Sequence, residues 1–133
     1  MDSITLLIID GHPLVREALR LLLQAEPNLE VIGDAGDGLT GVRLFDQLRP
    51  DVVVMDLFLP GLDGLGAIRQ MLATNPQAKI LVFSSLDDEA YPLAAARSGA
   101  GGYLSKSVPR PILVEAIRRL ANDLPATNAP ALL

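Results

Sequence analysis

The chain has no cysteine among its 133 residues. That excludes a disulfide framework and a thiolate metal site, and it fits a reducing compartment. Lysine is scarce: Lys79 and Lys106 are the only two, and basic residues form no run longer than the pair Arg118-Arg119. Lys and Arg total 11 against 16 Asp and Glu, for a formal charge of −5. A protein that grips phosphate backbones by charge carries a basic face, so this chain is not expected to bind DNA by itself. No apolar run reaches the roughly 18 residues of a membrane span. The N-terminus also lacks the basic start and cleavage pattern of a signal peptide. A cytoplasmic protein without a membrane segment is the default expectation.

What is present is apolar residues, at 50% of the chain, enough for the core of one domain. Residues 4–9 (ITLLII), 52–55 (VVVM) and 80–83 (ILVF) are apolar at consecutive positions. Such runs read as strands buried on both faces, as in parallel sheets. Two weaker strand candidates are residues 31–33 and 102–104. Helical spacing fills the intervals at 13–25, 41–48, 65–73, 87–98 and 109–120. The first of these opens on Pro13, which suits a first helical turn. It lines Leu14, Val15, Ala18, Leu19 and Leu22 along one stripe, with Arg16 outside it. Five alternations of strand and helix predict a parallel sheet covered by helices on both faces. The stretch 122–133 carries two prolines and no charge after Asp123. It reads as a linker or tail following a domain at 1–121, with a second domain expected beyond it.

In open α/β sheets, ligands bind outside the carboxyl ends of the strands. There the sequence places Asp10, Asp56, Ser84 and, just past the last strand, Lys106. Carboxylate oxygens suit a hard cation such as Mg²⁺, and a hydroxyl and an ammonium suit phosphate oxygens. Together they describe transfer of a phosphoryl group onto a carboxylate. Each residue also has a plainer reading. Asp10 would serve as a helix cap before Pro13, Ser84 as a strand-end serine, Lys106 as a solvated lysine, and Tyr103 as core. Asp56 stands between Met55 and Leu57, where an acid is costly unless used. The joint placement on four strand ends carries the functional reading.

The blocks DGHPLVREAL, PDVVVMDLFLPGLDGL, ILVFSS and GAGGYLSKSVP, with Ser84 28 residues and Lys106 50 residues after Asp56, resemble the receiver domain of bacterial two-component response regulators. The likeness covers about residues 4–121. The HPLVRE and GYLSK wording is most similar to the subgroup carrying a LuxR-type helix-turn-helix domain (NarL/FixJ-like). The resemblance implies a flavodoxin-like (βα)5 fold with a five-stranded parallel sheet in the order 2-1-3-4-5. It implies Asp56 as phosphoacceptor from a sensor histidine kinase, and Mg²⁺ held by Asp10, Asp56 and the backbone carbonyl of Phe58. Lys106 and Ser84 would contact the phosphoryl group, and Tyr103 would report the switch. A homodimer on activation is implied, through helices one and five or the helix-four side, with DNA bound only by an absent C-terminal domain.

One position departs from the pattern. The family usually ends its first strand on two adjacent acids, the second being generally the direct metal ligand. Here His12-Pro13 sets the register, so Asp10 is the first acid and Gly11 stands in place of the second. Weakened Mg²⁺ binding is the expectation. The alternative is a phosphate-independent pseudo-receiver that acts as an interaction module. An aspartyl-phosphate phosphatase is disfavoured, because its second acid, two residues after the nucleophile, is Phe58 here and general acid catalysis has no candidate. The chain is therefore expected to be a switch and not an enzyme.

Overall fold

The computed structural model describes residues 3–85, 90–124 and 126–127. The chain alternates β1 (Ile4–Ile9), α1 (Pro13–Gln24), β2 (Leu29–Ala35), α2 (Gly38–Leu48), β3 (Val52–Met55), α3 (Gly64–Thr74), β4 (Ile80–Ser84), α4 (Ala90–Arg97), β5 (Gly102–Ser105) and α5 (Arg110–Ala121). A two-residue β6 follows, Ala126–Thr127. All pairings are parallel, in the order β2-β1-β3-β4-β5-β6. The first five strands give the expected flavodoxin-like order. The sixth lies where the sequence reads as a linker; Leu124 precedes it, and residues 125 and 128–133 of that stretch lie outside the described residues.

The consecutive apolar strands are explained by two cores, one on each face. Side chains alternate across a strand. Leu6, Ile8, Val52, Val54, Leu81 and Phe83 therefore face α1 and α5, where they meet Leu19, Leu23, Leu113 and Ile117. Leu7, Ile9, Val53, Met55, Ile80 and Val82 face the other way, against Phe45, Ile68, Met71 and Ala95. Each fully buried aliphatic side chain contributes about 1.5–3 kcal/mol, so β1, β3 and β4 form the rigid centre that holds the site.

Two element boundaries differ from the sequence reading for local reasons. α2 starts at Gly38, three residues earlier than its apolar stripe suggests, because Asp37 caps it by accepting the Thr40 N–H at 2.8 Å. β2 is longer than 31–33 because exposed Glu30 and Asp34 interrupt its apolar pattern without ending its pairing with β1. The helix read at 87–98 begins at Ala90 among the described residues, and residues 86–89 lie outside them. The stripe on α1 is only partly covered. Leu19 is buried, whereas Leu14 is 84% exposed.

Candidate functional site

In the order β2-β1-β3, chain direction across the sheet reverses at β1, and the crevice above β1 and β3 is the natural ligand position. Two carboxylates stand there. Asp10 follows β1 and is 2% exposed, and Asp56 follows β3 and is 7% exposed. The strand ends are locked in step, since the Asp56 N–H donates to the Ile9 carbonyl at 2.9 Å. On the next pair of strands, the Lys106 N–H donates to the Ser84 carbonyl at 2.9 Å. That bond sets the lysine at the start of the β5–α5 turn, from which its side chain reaches back across the rim.

Lys106 Nζ donates to Asp10 Oδ2 at 2.7 Å and to Asp56 Oδ2 at 2.8 Å. The other oxygens are held by backbone: Asp10 Oδ1 accepts the His12 N–H at 2.9 Å and Asp56 Oδ1 the Phe58 N–H at 3.3 Å. Two buried like charges are tolerated because one ammonium bridges them. Burial works against the charge on Lys106, but its hydrogen bonds to Asp10 and Asp56, and the charges of those carboxylates, raise its pKa above the ordinary 10.5. A raised folded pKa gives stability that is full below pH 10.5 and is lost as pH climbs through the raised value. Urea midpoints should therefore fall at strongly alkaline pH, and Lys106→Met should remove that part of the decline. Equal slopes in both proteins would show that the bridge does not form.

Each residue singled out in the sequence has a definite place. Asp10, Asp56 and Lys106 meet directly. Ser84 ends β4, is fully buried, and shares the rim through its carbonyl. Tyr103 is 4% exposed and packs into the core on the α2–α3–α4 side. Asp10 is not the cap of α1, because His12 holds that position without a side-chain hydrogen bond. Asp63 caps α3, accepting the Gly66 N–H at 2.8 Å. Phe58 turns its ring outward, 61% exposed and edge-on to Tyr91 at 6.1 Å.

The backbone of Phe58 faces the rim. A Cβ built on Gly11 would lie 3.7 Å from the Phe58 carbonyl oxygen and 3.3 Å from Pro60 Cδ. Position 11 thus points at the place where a second acid would share a ligand with that carbonyl. Gly11 has no positive φ, so the backbone does not demand glycine there. Among the described residues no group of three or more His, Asp or Glu side chains is placed to hold a metal ion. Two carboxylates and a carbonyl are hard oxygen donors, and Mg²⁺ commonly takes one or two carboxylates and keeps several waters. This smaller set of oxygen donors fits that ion.

One contributor was missed. Arg16, placed outside the apolar stripe of α1, donates through Nη1 to the Asp10 carbonyl at 2.8 Å and pairs with Asp34 at 3.4 Å. It pins the loop that presents Asp10 and Gly11. Nothing in its spacing signals this, since an arginine on the polar face of a helix has the same pattern.

The sequence profile of the response regulator receiver domain matches residues 6–118. The transcriptional regulatory protein LiaR of Bacillus subtilis is 42% identical over 124 residues, covering 92% of this chain and 58% of LiaR. The nitrate/nitrite response regulator protein NarL of Escherichia coli K12 is 33% identical over 120 residues, covering 90% of this chain and 56% of NarL. The chain thus spans little more than half the length of these relatives. A LuxR-family two-component response regulator from Aurantimonas superposes with a TM-score of 0.91 at 34% identity, covering 98% of this chain and 93% of that one.

Proposed function

The chain belongs to the response regulator receiver family, in its NarL/LuxR-type branch, and from that footing we propose that Asp56 accepts a phosphoryl group from a sensor histidine kinase to control a transcriptional output domain. The observation that carries this reading is the bridge from Lys106 to both Asp10 and Asp56. A carboxylate that is 7% exposed, paired with an ammonium and set at a strand end is a positioned nucleophile.

In the transfer, one Asp56 carboxylate oxygen attacks phosphorus. A P–O bond forms as the phosphohistidine P–N bond breaks, and the imidazole leaves with the electron pair. Lys106 then exchanges its carboxylate contacts for a phosphoryl oxygen, keeping its charge at the place where negative charge has grown. The Ser84 hydroxyl, at the end of β4, supplies a donor to the same group, and Tyr103 on β5 carries the change toward α4 and α5. A Mg²⁺ ion held by Asp10, Asp56 and the Phe58 carbonyl would supply further neutralisation of the phosphoryl oxygens.

The kinase face follows from the uncovered stripe on α1. Leu14, Val15, Ala18 and Leu22 line an apolar groove of about 330 Å³ with Val108 and Leu113, and Lys106 stands at its rim. A helix seated there lies beside the acceptor. Dimerisation on activation, DNA contact through a C-terminal domain and a cytoplasmic location complete the reading; no helix among the described residues is long and apolar enough to cross a membrane.

The test is intact mass after incubation with acetyl phosphate and Mg²⁺. One phosphoryl adduct is expected, strongly reduced when Mg²⁺ is chelated. No adduct at any Mg²⁺ concentration would leave the phosphate-independent module as the reading.

A further inference from the structure

The two edges of the five-stranded part of the sheet are protected differently. A sheet edge offers unpaired backbone groups to other chains, and charged residues are one way of blunting it. β2 carries Glu30 and Asp34. β5 reads GYLS and carries no charge at all. What covers it is the segment that follows α5.

That segment is held at several points. Asp123 turns the chain with a φ of 61°. Lys79 Nζ, just before β4, donates to the Ala121 carbonyl at 3.0 Å and pairs with the Asp123 carboxylate at 2.9 Å. The Leu124 N–H donates to the Arg119 carbonyl at 2.8 Å. The chain then lies along β5, with Ala126 opposite Gly102 and Thr127 opposite Tyr103. Ala126 is 2% exposed and belongs to the core under α1 and α5. Its carbonyl approaches Gly102 so closely that any Cβ there would overlap it, so residue 102 must lack a side chain for the strand to dock.

We infer that residues 122–124 and 126–127 act as a latch closing the β5 edge, and that the edge beneath is a strand-docking surface whose competing occupant is a second copy of this chain. A second copy presents the same uncharged edge, so two released β5 strands pair antiparallel about a two-fold axis, a self-complementary contact. Docked, the latch excludes that pairing. The inference does not depend on phosphoryl transfer.

Two substitutions in the full chain open the latch from opposite sides. Ala126→Asp places a carboxylate where it cannot be buried without a partner and leaves β5 untouched. Gly102→Ala fills the space that the Ala126 carbonyl occupies. Without any phosphodonor, amide exchange across 101–105 should speed up at least about tenfold in both variants, with β1 and β3 unchanged. Sedimentation velocity should show a concentration-dependent dimer in both variants and monomer in the parent. Unchanged exchange in both variants would overturn the latch, and faster exchange with no gain in mass would overturn the second copy as occupant.

Discussion

Asp56→Asn is expected to remove the phosphoryl adduct completely while leaving the fold in place. The amide matches the carboxylate in size, and its oxygen still accepts the Phe58 N–H that Asp56 Oδ1 accepts at 3.3 Å. What is lost is the negative charge that makes the oxygen a nucleophile. Lys106 keeps its bond to Asp10 at 2.7 Å, so the ammonium is not left unpaired and two like charges no longer share one partner. A cooperative melt near that of the parent together with no adduct by intact mass assigns the loss to chemistry. An adduct that persists on Asp56→Asn would move the acceptor elsewhere and sink the proposal.

Gly11→Asp should tighten Mg²⁺ binding at least about tenfold. A unit charge about 4 Å from a divalent ion, at an effective dielectric near 20, is worth roughly 8 kcal/mol gross. Displaced water and desolvation consume most of that, yet about 1.4 kcal/mol suffices for a factor of ten. The geometry allows the change, since the new Cβ needs Pro60 Cδ, 3.3 Å away, to yield by only a few tenths of an ångström. A third acid beside Asp10 and Asp56 also adds repulsion. Without Mg²⁺ the variant should therefore melt below the parent, and added Mg²⁺ should raise its melting point more steeply, as binding to the native state alone requires. Calorimetric titration measures the affinity directly. An unchanged dissociation constant would show that residue 11 does not face the ion.

Much of this was legible in the sequence, for specific reasons. β1 and β3 are buried on both faces, so their limits coincide with their apolar runs. The meeting of Asp10, Asp56, Ser84 and Lys106 at one rim follows from parallel strands alone, because every strand then delivers its carboxyl end to the same edge. Other features depend on contacts that no local pattern encodes. The start of α2 rests on one Asp37 side chain in a stretch that reads as a turn. The grip of Arg16 on the Asp10 loop is a reach from a helix back to a loop. β6 is two residues long, and what makes room for it is the missing side chain at Gly102, twenty-four residues before Ala126.

The bridge of Lys106 to two carboxylates also bears on how the chain folds. Its three members come from β1, β3 and the turn after β5, with Lys106 lying 96 residues from Asp10 and 50 from Asp56. Contacts of such separation carry a loop-closure cost that must be met before they reward it. A chain folded only as far as β3 holds Asp10 and Asp56 side by side with no ammonium between them, an arrangement that repulsion and desolvation disfavour. Lys106 relieves that conflict only when β5 docks. The bridge is thus complete only once β5 has docked, and a chain short of that step carries two carboxylates at the rim without their shared ammonium.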